Sequence, residues 1–200
     1  MSVSLQKNQS LTLDSSKYDL SKLTIGVGWA RKKTKKGLLG FLKGGDAGFD
    51  LDALALLLGR NGKLRHEDDV IYFGNLKSSD QSITHSGDNL TGKHRGDSEQ
   101  IVVDLKSMSE RYHKVTFAVI IHEGKERGQH FGLLENAFVR AMDADGHEMV
   151  RFDLSHDAAY DGHVSMLMGD LNRKADNWAF KAIGKPLDVE RISSIAAKYA

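Results

Sequence analysis

The residues best suited to chemistry in this sequence lie at positions 87–99, where oxygen-bearing side chains are interspersed with glycines. The segment contains three glycines, three carboxylates and one asparagine within thirteen residues. Glycine lets a backbone fold tightly and turn its carbonyls inward, and a calcium ion takes about six to eight oxygen ligands in a loose geometry. The segment is therefore typical of a calcium-binding loop, with Asp88, Asn89, Asp97 and Glu99 as candidate ligands.

A second acidic group lies upstream, in the F-D-L-D-A stretch at positions 49–53. If this stretch is a strand, Asp50 and Asp52 point to the same face, with their Cα atoms about 6.5–7 Å apart. Together with the three carboxylates of the loop they would repel one another strongly unless a cation lay between them. The alternative is that all five are solvated turn and strand-edge residues, and the residue types alone leave both interpretations open.

The motifs D-L-D-A, H-S-G-D-N-L-T-G and G-D-S-E-Q resemble those of the TerD family of tellurium-resistance and calcium-binding stress proteins. The similarity continues through positions 129–140, 150–154 and 177–184, so it covers nearly the whole chain. The insertion K-K-G-L-L-G-F-L is similar to the TerZ-like branch of that family. Two positions depart from the family pattern: Ser98 replaces a usual aspartate, and Gly74 replaces a frequent asparagine.

This resemblance implies a non-enzymatic calcium-binding protein that takes two Ca²⁺ ions and associates with other Ter-type proteins, including membrane-embedded ones. A metal-dependent hydrolase that uses the same carboxylates is the alternative. An open coordination position beside a pocket with a general base would distinguish the hydrolase from a binding module. The implied ligands, carried over motif by motif, are Asp50, Asp52, Asp88, Asn89, Asp97 and Glu99.

Composition limits the remaining classes of function. The net charge of +1 gives no global basic field for nucleic acid, and the absence of cysteine excludes thiol chemistry and disulfides. The N-terminus lacks the apolar core of a signal peptide, and no apolar run approaches the roughly 20 residues of a membrane span. We therefore expect a cytoplasmic protein, with peripheral contact at the inner membrane face as an alternative location.

A basic segment is predicted to form a glycine-rich loop insertion over positions 31–45. Five of the six residues at positions 31–36 are lysine or arginine, and the stretch G-L-L-G-F-L-K-G-G follows. Such a mixture suits contact with an anionic membrane surface or an acidic partner. A solubilising linker whose leucines pack back onto the protein is an equally good interpretation.

About ten short strands separated by glycine-rich turns predict an all-β fold, most simply a β-sandwich, in a single domain over residues 1–200. Residues 115–121 are apolar throughout and predict a central strand, buried on both faces. Residues 3–13 predict an N-terminal hairpin or edge strand. Periodicity at residues 131–142 favours a helix, whereas the family resemblance implies a strand. A helix over residues 187–199, opened by Pro186, is predicted to end the chain.

Two weaker metal motifs are interpreted as structure. The D-A-D-G-H stretch at positions 143–147 is typical of a hairpin turn, since no EF-hand spacing continues from it. The nine histidines show no zinc-site spacing. We predict that His85, His94, His122 and His130 are turn and surface residues.

Overall fold

A computed structural model describes residues 2–31, 49–87, 97–154, 157–175 and 177–200. Twelve strands lie in this part of the chain, and the longer central ones, such as Leu51–Leu58 and Lys114–Ile121, correspond to apolar runs in the sequence. In chain order they are β1 (Val3–Ser4), β2 (Ser10–Thr12), β3 (Leu23–Arg31), β4 (Leu51–Leu58), β5 (Val70–Ile71), β6 (Ile83–His85), β7 (Glu99–Val103), β8 (Lys114–Ile121), β9 (Leu134–Met142), β10 (Glu148–Asp153), β11 (Ser165–Arg173) and β12 (Trp178–Leu187).

These strands form two six-stranded sheets, and the predicted β-sandwich is confirmed. The first sheet has the order β1-β10-β9-β3-β7-β6, and the second has the order β2-β12-β11-β8-β4-β5. Apolar side chains from the inner faces of both sheets form one buried cluster between them. Neighbouring strands are antiparallel except for β1 and β10, which are parallel. The prediction of a single domain stays a prediction.

Strands β4 and β8 are buried on both faces because the second sheet is covered on both sides. Residues 115–121 are all buried in β8, as predicted for a central strand. In β4 the odd-numbered residues face the core between the sheets. Leu54, Leu56 and Leu58 face a second apolar cluster on the outer side of the sheet, where Ile195 of the C-terminal helix packs. This layering places the acidic start of β4 between two apolar environments.

The C-terminal helix is shorter than predicted. Helix α1 (Ile192–Ala196) is followed by a 3₁₀ turn (Ala197–Tyr199), whereas Pro186 lies inside β12, so the predicted helix start after Pro186 is wrong. β2 pairs with β12 only opposite residues 179–181. The strand therefore has an open edge at Pro186, where a missing N–H group is tolerated.

Two further predictions concern edge segments. The N-terminal residues do not form a hairpin, because β1 pairs with β10 in the first sheet and β2 pairs with β12 in the second; the edge-strand alternative is confirmed. The strand implied for residues 131–142 is confirmed by β9, which begins after a 3₁₀ turn (Phe131–Leu133). The predicted basic loop falls almost entirely on residues 32–48, which lie outside the described residues.

Candidate metal-binding site

Ala53 of β4 lies at the centre of the candidate site, because two buried side chains of the first sheet bind its backbone. The N–H group of Ala53 donates to Oε2 of Glu99 at 2.5 Å, and its carbonyl oxygen lies 3.0 Å from Nε2 of His85. Glu99 begins β7 and His85 ends β6, two neighbouring strands of the first sheet. The two sheets are therefore joined by polar contacts at the acidic end of β4.

Glu99 carries the clearest sign of a cation site. Only 1% of this residue is exposed, and its Oε1 atom is buried with no hydrogen-bond partner among the described residues. A buried carboxylate oxygen without a donor costs free energy unless a proton or a cation satisfies it. The free oxygen is a hard ligand of the type that Ca²⁺ prefers. The side chain therefore fits a role as a calcium ligand.

His85 was expected to be a surface residue, and that prediction is wrong. Only 3% of the residue is exposed, because the ring projects from β6 in the first sheet onto Ala53 of β4 in the second. The N–H group of Gly87 donates to Nδ1 at 3.0 Å. The ring proton is therefore on Nε2, from which it is donated to Ala53. Both nitrogens are engaged by backbone groups, so neither is available to a metal ion, and the ring lies 3.7 Å from Glu99.

The two aspartates of the D-L-D-A motif lie at the start of β4. Asp52 is 5% exposed and lies on the even-numbered face of the strand, with its Oδ2 atom 3.8 Å from Nδ1 of His122. The carbonyl oxygen of Asp50 accepts a hydrogen bond from the N–H group of His122 at 2.8 Å. Asp50 and Asp52 are thus close to Ala53 in the chain, but Asp52 projects to the side of the sheet opposite the core.

Asp97 points away from Glu99, although only one residue separates them in the sequence. Its carboxylate accepts from Nε of Arg140 at 2.7 Å and from Nε2 of Gln100 at 3.0 Å. Gly26 pairs with both Gln100 and Arg140, so these three residues share the outer face of the first sheet, whereas Glu99 faces the core. The carboxylate lies directly over Gly26, where an added Cβ atom would be 2.1 Å from Oδ2.

The pair formed by Asp97 and Arg140 continues into a chain of charges across β9 and β10. Arg140 also donates to Glu148 at 3.1 Å, which Arg151 contacts from its other side. Burial opposes ionisation of Glu148, but hydrogen bonds from Arg151, Ser2 and Arg140 lower its pKa to about 2. Partial burial would lower the pKa of Arg140, but its bonds to Asp97 and Glu148 raise it. Asp97 is therefore held by a charged network.

The structure thus divides the residues that the sequence grouped together. Glu99 accepts a hydrogen bond from Ala53, and Asp50 and Asp52 precede Ala53 in the chain. Asp97 lies on the other side of the first sheet. Asp88 and Asn89 lie outside the described residues, as does most of the predicted loop.

The turn at positions 143–147 brings three possible metal ligands together. Within the described chain, Asp143, Asp145 and His147 have candidate ligand atoms within 4.8 Å of one another. However, Oδ1 of Asp143 already accepts from the N–H groups of Asp145 and His147, at 3.1 and 2.7 Å. The N–H group of Asp143 also donates to the carbonyl oxygen of His147 at 3.0 Å. These bonds define the hairpin turn between β9 and β10 that the sequence predicted.

The fold and the site together define a class of protein: a β-sandwich with an acidic, buried junction between its sheets and a short C-terminal helix. The sequence matches the TerD domain over residues 1–199. The chain belongs to the TerD family, whose members include tellurium-resistance and stress-response proteins. The helices found in the described residues are too short to cross a bilayer.

Individual relatives support this assignment over the full length of the chain. The tellurium resistance protein TerX of Serratia marcescens is 40% identical over 212 aligned positions, covering 100% of both chains. The stress response protein SCP2 of Bacillus subtilis is 38% identical, also covering 100% of both. The crystal structure of a homologue of the telluride resistance protein TerD from Streptomyces coelicolor superposes with a TM-score of 0.63 at 17% identity. It covers 90% of this chain and 98% of that one.

Proposed function

We propose that the protein binds Ca²⁺ beside Ala53 and acts as a non-enzymatic, partner-binding module of a tellurium-resistance and stress-response system. The observation that carries the proposal is the Oε1 atom of Glu99, which is buried without a hydrogen-bond partner among the described residues. The motif match adds Asp50, Asp88 and Asn89 as ligands, whereas Asp52, which faces the other side of the second sheet, would serve a second ion. Calcium, when bound, would neutralise the negative charge of these carboxylates.

The chemistry of the donors supports calcium over a transition metal. The proposed ligands offer carboxylate and amide oxygens, and the nearby imidazole of His85 is occupied by backbone groups at both nitrogens. Zinc sites are usually built from nitrogen and sulfur ligands. Magnesium requires a tighter octahedron and keeps more of its water, so it should bind more weakly than calcium.

Asp97 is a proposed ligand whose carboxylate is already bound by two side chains. Arg140 and Gln100 bind its carboxylate on the outer face of the first sheet, so Asp97 would have to leave Arg140 to contact an ion beside Ala53. The family resemblance implies two ions, and the stoichiometry measured in a calcium titration decides between one and two.

The direct test of calcium binding is the thermal stability of the protein with a chelator and with millimolar calcium. A ligand that binds only the folded state stabilises it by about 2.7 kcal/mol at a free concentration 100 times its Kd. We expect calcium to raise the melting temperature, and Glu99→Gln to remove most of the increase. Asp145→Asn, in the hairpin turn, should respond to calcium as the natural protein does. An unchanged melting temperature would exclude a calcium site that is coupled to folding.

The partners in this proposal are other Ter-type proteins, including membrane-associated ones, in the cytoplasm or at the inner face of the membrane. The names of the relatives place them in tellurium resistance and stress response. Co-purification of the tagged chain with Ter-type proteins from tellurite-treated cells, in calcium and in chelator, tests this part. Recovery of such partners in calcium supports the proposal, and their absence under both conditions contradicts it.

A metal-dependent hydrolase is the second candidate, and one observation favours it. His122 is exposed at the edge of an open groove and lies 3.8 Å from the carboxylate of Asp52, an arrangement that could serve a general base. Hydrolysis of chromogenic phosphate and carboxylate esters in calcium or manganese, lost in His122→Ala, would support an enzyme. Absence of turnover with each ester supports the binding module.

A further inference from the structure

An open groove of about 1110 Å³ runs between the outer face of the second sheet and the C-terminal helix. We call it the C-terminal groove. Its floor is apolar: Val70 and Ile120 are buried beneath it, and Tyr72 and Ile192 pack around them on the second apolar cluster. Phe73 stands at its edge with 42% of its surface exposed. Grooves that receive another chain commonly combine an apolar floor with an exposed aromatic side chain.

The charged residues that line this groove are mainly acidic. Five carboxylates face two guanidinium groups, although the whole chain has a net charge of +1. The carboxylates belong to Asp52, Glu67, Glu123, Glu126 and Glu190, and the guanidinium groups belong to Arg65 and Arg191.

Two of these carboxylates are already paired, and two others are available. Glu190 binds Lys125 at 2.6 Å and Glu123 binds Arg127 at 2.8 Å. Glu67 and Glu126 are exposed and form no ion pair in the described part of the chain. Arg65 and Arg191 offset part of the charge on the remaining carboxylates, so the groove combines an apolar floor with a small excess of negative charge.

We propose that the C-terminal groove binds a basic peptide segment of a partner protein, in which lysine or arginine residues alternate with leucine- or phenylalanine-type residues. The apolar residues would cover the floor, and the cationic residues would face Glu67 and Glu126. Nucleic acid and anionic membranes are disfavoured, since both would be repelled by the acidic lining. A small cation alone would leave the apolar floor in water. This inference deepens the partner-binding part of the proposed function and rests on it.

The groove is separate from Glu99, the residue on which the calcium proposal rests. Glu99 faces the core between the two sheets, whereas the groove lies on the outer side of the second sheet. Peptide binding and calcium binding can therefore be disrupted independently, provided that Asp52 is left intact.

The test uses fluorescence anisotropy of the full chain with a labelled probe peptide of sequence K-K-L-L-K-K-F-L-K. Its counterpart, E-E-L-L-E-E-F-L-E, keeps the apolar residues and reverses the charge. We expect saturable binding of the basic peptide and no binding of the acidic one. Equal binding of the two would overturn the proposed charge complementarity, and no binding of either would overturn the proposal.

Variants then locate the binding surface. Glu67→Lys combined with Glu126→Lys should weaken binding of the basic peptide about tenfold, because two attractive contacts become repulsive. Phe73→Ser should weaken it as well, by removing apolar contact area. Glu110→Lys combined with Asp145→Lys, two exposed charge reversals outside the groove, is the matched control. If the control weakens binding as much as the double variant in the groove, the peptide binds by net charge and the groove is not its site.

Running each titration in calcium and in chelator separates this inference from the calcium proposal. Stabilisation by calcium without peptide binding contradicts only the groove. Peptide binding without any effect of calcium on stability contradicts only the calcium site.

Discussion

Glu148 provides a quantitative test of the charged network that holds Asp97. It begins β10, and its side chain is 22% exposed. Ser2 and Arg151 donate to Oε1 at 2.8 and 3.1 Å, and Arg140 donates to Oε2 at 3.1 Å. Although burial raises the pKa of Glu148, these bonds lower it from 4.5 to about 2. The folded state therefore binds the proton of Glu148 more weakly than the unfolded chain does.

The sign of the pH effect follows from this lowered pKa. Ionised Glu148 stabilises the folded protein fully above the unfolded-state pKa of 4.5, and the contribution is lost as the pH falls toward about 2. The lowered pKa of Glu148 contributes about 3 kcal/mol to the free energy of unfolding at neutral pH, and about 2 kcal/mol of this contribution is lost by pH 3. Glu148→Gln removes the titrating group while nearly keeping the shape of the side chain.

The assay is urea unfolding of the natural protein and of Glu148→Gln at pH 7 and at pH 3. We expect the variant to be less stable at neutral pH, and the difference between the two proteins to shrink by about 2 kcal/mol at the lower pH. Glu110→Gln, at an exposed site outside the network, should follow the natural protein at both pH values. A difference between Glu148→Gln and the natural protein that does not change with pH would show that ionisation of Glu148 does not stabilise the folded state.

Two further predictions concern buried positions where neighbouring side chains leave no room or depend on a hydrogen bond. Gly26→Ala should lower the free energy of unfolding by about 1–3 kcal/mol, because its Cβ atom would lie 2.1 Å from the bound carboxylate of Asp97; equal urea midpoints would contradict this. Tyr112→Phe should cost about 1–3 kcal/mol, because the fully buried hydroxyl group donates to Asp69 and accepts from Arg111. An unchanged midpoint would show that this hydroxyl group is dispensable.

The strands could be predicted because their signals are local. The apolar run of β8 indicated a strand buried on both faces, and the structure supplies the two apolar layers that bury it. Pro186 was misinterpreted because a proline usually starts a helix or ends a strand. Whether it can remain in β12 depends on the open edge of that strand, which is a property of the sheet rather than of the sequence nearby.

The candidate site was harder to predict because its contacts are distant in sequence. The sequence groups Asp97 with Glu99 as candidate ligands of one loop, but β7 begins only at Glu99, and Asp97 lies before the strand. Its direction is set by Arg140, 43 residues away, and by the space above Gly26. His85 is likewise buried by its contact with Ala53, 32 residues away. Residue type could identify the oxygen ligands, but their directions depend on which strands become neighbours.

We propose that the buried carboxylate of Glu99 binds calcium, and calorimetric titration of the chelator-treated protein with CaCl₂ measures this binding. We predict saturable binding by the natural protein, unchanged binding by Asp145→Asn, and binding weakened at least about tenfold in Glu99→Gln, since a charge-assisted contact contributes about 1.5–3 kcal/mol. Equal affinity of Glu99→Gln and the natural protein, or no calcium binding by the natural protein, would contradict the claim.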